Sequence, residues 1–337
     1  MNIKIVTEAD AIDREEWEQF VYNHPQGNVF QTLQMYEAYS LTKNYHPIVI
    51  ACFKKGALIG ILLAAVLKEY NGILGKLSAR SIIWGGPLLE KRDSEIMKMI
   101  LNSYEKKIKK AAIFSQFRNL TDSDWAKPAF NYSGYNYEDH LNILIDLKKS
   151  EDELWKMVHS KRRNEIRRAY KENTEFLVQT DENTLKNGYE ILNEVYKLAK
   201  LPFPDMSFFQ NILSRSTKDF GLKIFAATNQ KKMIGVMFAL IYKNRIYDWY
   251  AGAYREALGK YPNDLIPWEV MKWGKANGFE IFDFGGAGKP NIPYGVRDYK
   301  MKFGGESVNF GRFAKVHQPI KIRIAKSGFK IWQFLKK

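Results

Sequence analysis

The chain has 337 residues, 45% hydrophobic and 14% aromatic, enough to bury the cores of two ordinary domains and too apolar for a disordered chain. Lys and Arg number 52 against 37 Asp and Glu, a formal net charge of +15 with a pI near 9.5, which favours a polyanionic partner. The single cysteine, Cys52, excludes an internal disulfide framework, the first residues lack the apolar core of a signal peptide, and the longest apolar stretch, 57–67, is too short to cross a bilayer. A cytoplasmic monomer is expected, peripheral at most on the inner face of the membrane.

Helical segments precede a hairpin at residues 48–67, where two buried strands flank the turn Lys54-Lys55-Gly56 and the second strand carries Ile59-Gly60. A strand ending in small residues follows at 82–86, then a helix over Ser94–Lys110 and a strand over Ala112–Phe117. Near 147–150 an apolar strand gives way to Ser150-Glu151-Asp152-Glu153, a capping-box helix start. After a basic helix, the plan repeats: a hairpin at 224–241 turns at Asn229–Lys232 and carries Ile234-Gly235. A strand over 247–252, a helix over Asn263–Asn277 and a strand over Phe279–Phe284 complete the echo. Duplication of one α/β unit explains this order. The expected domains are 1–149 and 150–314, with 315–337 returning to the first.

Several attractive sites fail on inspection. The run Asp283–Pro290 imitates a phosphate loop, but Asp283 stands where the first glycine belongs and Pro290 where a magnesium-binding hydroxyl belongs. The five histidines lack metal-ligand spacing, and no nucleophile elbow is present, so neither a metal nor a cofactor is expected. Two segments carry chemistry. In SKRRNEIRRAYK, Arg163 and Arg167 lie one helical turn apart on a cationic face suited to phosphate, with Lys161 beside them. In FDFGGAG, Asp283 precedes Gly285 and Gly286, where a strand breaking into glycines permits close approach of a ligand. The following GVRDYKMKFGG supplies Arg297, Tyr299 and Lys300 to line it.

These segments, in this order, resemble the FemAB family of peptidyltransferases, and the likeness is strongest from Ser150 to Phe313. The resemblance implies two tandem GNAT-like α/β domains with mixed, mostly antiparallel sheets. It implies transfer of an amino acid from aminoacyl-tRNA to a stem-peptide amine of a lipid- or nucleotide-linked muropeptide, in cell-wall biogenesis. Lys161 and Arg163 match the family's Lys-x-Arg pair, which contacts acceptor phosphates. Tyr250 lies in the strand before the acyl-donor cleft, and Lys300 matches the lysine of a Phe-Lys motif near the reaction centre. In the first half, Tyr39 replaces an acceptor-binding lysine, Gly85-Gly86-Pro87 replaces Arg-Gly-Pro, and Glu90 retains an acid.

Aminolysis of an ester needs a neutral amine, alignment and a donor for the developing oxyanion; Lys300 or a backbone amide near 251–253 is expected to serve. Two alternatives stand beside this one. An acyl-CoA-dependent enzyme acylating an amino sugar would want a glycine-rich pyrophosphate loop, and Arg255–Tyr261 holds one glycine. A non-catalytic RNA- or membrane-binding protein would need no organised cleft. The run Ile320–Lys337 mixes cations with Ile, Phe and Trp as interfacial segments do, and membrane proximity would suit a lipid-linked acceptor.

Overall fold

The computed structural model describes residues 3–68 and 78–321. The chain divides into two compact units, Met1–Asp139 with Phe310–Lys337, and His140–Asn309. The first contains β1 (Ile3–Val6), α1 (Arg14–Asn23), α2 (Leu33–Leu41), β2 (Tyr45–Lys54), β3 (Ala57–Leu67), β4 (Arg80–Trp84), β5 (Leu88–Leu89), α3 (Ser94–Ile108), β6 (Phe114–Arg118), α4 (Lys127–Tyr132) and β7 (Asn136–Glu138). The second contains β8 (Leu141–Asp146), α5 (Glu151–Met157), α6 (Ser160–Lys171), β9 (Glu175–Gln179), α7 (Glu182–Leu198), α8 (Met206–Leu213), β10 (Phe220–Asn229), β11 (Lys232–Tyr242), β12 (Arg245–Ala253), α9 (Pro262–Ala276), β13 (Ile281–Gly286), α10 (Gly295–Met301) and β14 (Glu306–Asn309). β15 (Arg312–Val316) then returns to the first unit. Among the described residues no helix is long and apolar enough to cross a membrane, and most of Ile320–Lys337 lies outside them.

The internal echo is a structural duplication. Lys55 and Gly56 turn the first hairpin with positive φ, and Gln230 and Lys231 turn the second in the same way. Each hairpin carries a bulge at the matching place: Cys52 pairs with Gly60 and Phe53 with Leu58, so Ile59 is extra, while Ala227 pairs with Gly235 and Thr228 with Met233, so Ile234 is extra. The glycine beside each bulge lies under a helix. A Cβ on Gly60 would come within 3.0 Å of Ile100 on α3, and one on Gly235 within 2.8 Å of Pro262 on α9. The Ile-Gly pair therefore recurs because a helix crosses both hairpins too closely for a side chain.

The sheets also share one strand order. The first runs β1-β2-β3-β4-β6-β15-β7 and the second, read from its other edge, β9-β10-β11-β12-β13-β8-β14. β15 lies antiparallel to β6 as β8 lies antiparallel to β13, so the second unit opens on this strand while the first receives it from the far end of the chain. The expected boundaries at 149/150 and 314/315 thus fall beyond β8 and inside β15, because an apolar strand read alone does not reveal its partner. The capping box at α5 forms, with the Ser150 amide donating to Glu153 at 2.8 Å and the Glu153 amide to the Ser150 hydroxyl at 3.2 Å.

Below the shared order the units differ in one respect that positions the site. In the first, β4 and β6 remain paired in parallel from Arg80↔Phe114 to Trp84↔Arg118. β3 and β4 stop pairing at Ala65↔Ile82, and where Leu63 and Trp84 would pair next, the side-chain amide of Gln31 takes the place of a backbone rung. Its Nε2 donates to the carbonyls of Leu63 (3.1 Å) and Trp84 (2.8 Å), and its Oε1 accepts from the Leu63 amide at 2.8 Å. Gln31 is fully buried. Gln31→Leu leaves these three backbone groups without their partner, at a cost of roughly 2–4 kcal/mol. Urea denaturation should read that loss, and a change below about 0.5 kcal/mol would contradict the bridging role.

Candidate active site

In the second unit the corresponding strands part. β12 and β13 pair in parallel only at Arg245↔Ile281, Ile246↔Phe282 and Tyr247↔Asp283, yet β12 continues to Ala253 and β13 to Gly286. A bulge accompanies the parting: Ala239 pairs with Asp248 and Phe238 with Tyr250, leaving Trp249 as the extra residue. The opening begins immediately after Tyr247 and Asp283. Asp248 and Tyr250 on one strand, and the glycine end of the other, border it.

Parting two strands leaves backbone carbonyls without a ladder partner, and Lys300 supplies one. From α10 its ammonium donates to the carbonyl of Phe284 and, at 3.2 Å, to that of Gly286. Burial pushes the Lys300 ammonium below the usual lysine range, against the pull of Asp248 and Asp283. Burial likewise pushes the carboxyl of Asp248 up to about 6, opposed by Lys300 and reinforced by Asp283. Asp283 is 1% exposed and its carboxyl is raised, again by burial. It accepts from the Gly285 amide at 2.8 Å and the Asn142 amide at 3.5 Å, and pairs with Arg245 at 3.6 Å. Asp283 therefore anchors the strand end from within, and the expected ligand contact at this residue gives way to that role.

The basic helix α6 splits its cations. Lys161 is exposed. Arg163 donates to the carbonyls of Trp155 (3.3 Å) and Lys156 (3.5 Å) at the end of α5, and Arg167 lies over the Trp155 ring at 5.3 Å. Arg162 turns inward, pairing with Glu165 at 2.8 Å and with Asp264, its guanidinium 4.7 Å from the centre of the Tyr299 ring. Asp264 sits in the first turn of α9, where burial raises its carboxyl and Arg162 opposes the shift. This helix start is already well used. Pro262 has no amide to offer, and the amides of Ala257, Tyr261 and Asp264 donate to carbonyls of their own segment.

Of the remaining expected residues, Tyr299 donates to the Asn263 carbonyl at 2.5 Å, tying α10 to α9. Arg297 donates to the carbonyls of Ala287, Lys289 and Ile292, the last two at 2.7 Å, and so staples the loop after β13. Gly285 has φ +71°, which the opened strand end requires, and Gly286 offers its carbonyl to Lys300. Tyr250 packs at 5.2–5.4 Å against Tyr196, Phe203 and Phe209. In the first unit Tyr39 is 1% exposed and packs on Tyr45 and Trp84, a core position that replaces the expected acceptor contact. Glu90 is exposed and borders a cavity with Glu16, Phe20 and His24. Gly85 and Gly86 are required by their neighbours, since a Cβ would meet Asn28 at 2.5 Å and Gln31 at 2.6 Å. Sequence reasoning missed Asp248, Tyr196 and the inward Arg162. An acid inside an otherwise apolar strand was the available signal for Asp248.

Residues 160–301, from α6 to the end of α10, match the family model described as an acetyltransferase (GNAT) domain. No curated protein sequence matches the chain. Among solved structures, FemX is similar at a TM-score of 0.71 and 16% identity, covering 96% of this chain and 100% of its own. L-PGS from Bacillus licheniformis is similar at 0.58 and 14%, covering 93% and 96%. The tandem GNAT protein from the clavulanic acid biosynthesis pathway is similar at 0.58 and 9%, covering 94% and 99%.

The raised carboxyl of Asp248 has a consequence for stability. A carboxyl whose folded-state value lies near 6 and whose ordinary value is 3.8 binds more protons folded than unfolded between those limits, so its ionisation opposes folding as pH rises. Asp248→Asn is expected to raise stability at pH 7.5 by roughly 1–2 kcal/mol and to confer no advantage at pH 4, measured by thermal melting at both. Equal gains at the two pH values would show that Asp248 is not desolvated. The chain has a tandem GNAT-like α/β fold shared with FemX, and the match to the GNAT domain model falls in its second unit.

Proposed function

We propose that the chain is an N-acyltransferase that moves an amino acid from aminoacyl-tRNA to an amine of a peptidoglycan precursor or related cell-envelope acceptor. The observation that carries this reading is the parted pair β12 and β13 with Lys300 at its mouth, set against a helix start at α9 that is ill-suited to a pyrophosphate. A CoA donor would place its diphosphate at that helix start, where free amides and a positive dipole end attract anions. Here the first turn already holds the carboxylate of Asp264, and three nearby amides are engaged. A carrier recognised along its backbone by dispersed cations makes no such demand, and a net charge of +15 supplies them. The fold shared with FemX and with L-PGS agrees with this reading.

The chemistry is modest. The ester is already activated, so the site must align amine and carbonyl and stabilise the oxyanion. Lys300 uses two of its three N–H bonds on strand carbonyls, which fixes the direction of the third. In the reaction the amine nitrogen bonds to the carbonyl carbon, the ester C–O bond breaks, and the tRNA hydroxyl leaves with a proton.

Purified protein supplied with charged tRNA, or with acyl-CoA, and an amine acceptor tests the donor, with RNase as control. Transfer from charged tRNA that RNase abolishes is expected. Transfer from acyl-CoA alone would leave the N-acyltransferase and overturn the donor. Lys300→Met is expected to lower turnover roughly 10²- to 10³-fold, as loss of an oxyanion donor does. Lys161→Ala, at an exposed position, should weaken acceptor binding without lowering the melting temperature, whereas Arg163→Ala should cost about 1 kcal/mol through the two carbonyls it holds.

A further inference from the structure

The helix that carries Lys300 has little of its own to hold it in place. α10 is seven residues long and none of them is fully buried. A helix of two turns is marginal by itself and takes its position from what grips it. Tyr299 and Lys300 are consecutive in α10, and consecutive side chains on a helix point about 100° apart. Tyr299 accordingly meets α9 while Lys300 meets the end of β13, so a grip on the first fixes the second.

Tyr299 is gripped twice. Its hydroxyl donates to the Asn263 carbonyl at 2.5 Å, and the Arg162 guanidinium lies 4.7 Å from the centre of its ring. The same guanidinium lies 6.0 Å from the ring of Phe303, which closes the turn after α10 and meets Tyr299 edge to face at 5.4 Å. The hydrogen bonds of Arg162 are not those of an arginine placed only to neutralise a carboxylate. One nitrogen, Nη1, serves both Glu165 and Asp264, and Nε is buried with no hydrogen-bond partner among the described residues. A bidentate fork, the stronger way to meet a carboxylate, is given up. What the guanidinium keeps is its place over two rings, a contact that a planar cation makes and a lysine ammonium does not reproduce.

We propose that Arg162 is a positioning residue for Lys300: anchored by Glu165 on α6 and Asp264 on α9, it clamps the Tyr299 ring and so sets α10 where the Lys300 ammonium reaches the carbonyls of Phe284 and Gly286. The proposal rests on the acyl-transfer reading for what Lys300 does, and on the geometry alone for how Lys300 is held. Without the clamp α10 keeps its sequence and its turns but loses its register on β13, and the ammonium gains water as it leaves the two carbonyls.

NMR of the full chain carrying isotope-labelled lysine follows the titration of Lys300, whose signal is identified by its absence in Lys300→Met. Burial holds Lys300 below the usual lysine range. Arg162→Lys, which keeps the charge beside Asp264 but loses the planar face, should move that titration up toward the ordinary value. Tyr299→Leu removes the other half of the contact and should move it in the same direction, and the double variant should move it no further. The two substitutions break one contact from opposite sides, so if one variant fails to fold the other decides. Gln31→Leu, which weakens the first unit, should leave the Lys300 signal in place. With the donor that supports transfer, Arg162→Lys should lower kcat about tenfold and leave KM within about twofold. A Lys300 titration unmoved in folded Arg162→Lys or Tyr299→Leu, additive shifts in the double variant, an equal shift in Gln31→Leu, or a raised KM with kcat unchanged would overturn the proposal. The titration is read without substrate, so absence of transfer from either donor would sink the acyl-transfer reading and leave the clamp standing.

Discussion

The structure of the second unit depends on keeping two parallel strands apart. Separation exposes carbonyls that a sheet would ordinarily pair, and each unpaired buried group opposes the opening by a kcal/mol or more. Lys300 meets this demand from α10, while Asp283, held by Arg245, Asn142 and the Gly285 amide, secures the same strand from inside. Gly285 allows the backbone turn that follows. The groups that hold the cleft open are thus the groups that set its electrostatics, and a substitution at Lys300 acts on shape and charge together.

The first unit shows the alternative outcome of the same topology. Its matching strands stay paired to their ends, and Gln31 inserts its amide between β3 and β4 where the next rung would fall. Gly85 and Gly86, which looked like a damaged ligand motif, are explained by the close packing of Asn28 and Gln31. Duplication supplied two frames, and only the second carries the parted strands and the polar cluster around Lys300. The family match to residues 160–301 falls on that same unit.

The cluster at α9 bears on the donor in a similar way. Asp264 and Arg162 are a mostly buried pair, and such pairs add little stability relative to apolar packing. Their position at a helix start gives them another consequence, since a carboxylate there takes the place an anionic ligand would occupy. Occupancy of that helix turn is what supports the proposed donor, a carrier that places no diphosphate there.

The sequence by itself determined the repeated order of elements, because hydrophobic period, turn residues and the recurring Ile-Gly pair are local properties of the chain. It also located the α5 capping box, the basic helix and the segment that carries Lys300, each visible as a short pattern. Only the tertiary structure decided the pairing of β8 with β13 and of β15 with β6, because those partners lie far away in sequence. It alone decided that Arg162 faces inward while Lys161 does not, that Tyr39 belongs to a core, and that Asp248 stands at the opening. Burial, strand register and the partners of a charge are set by contacts between distant residues, and no spacing within a single segment encodes them.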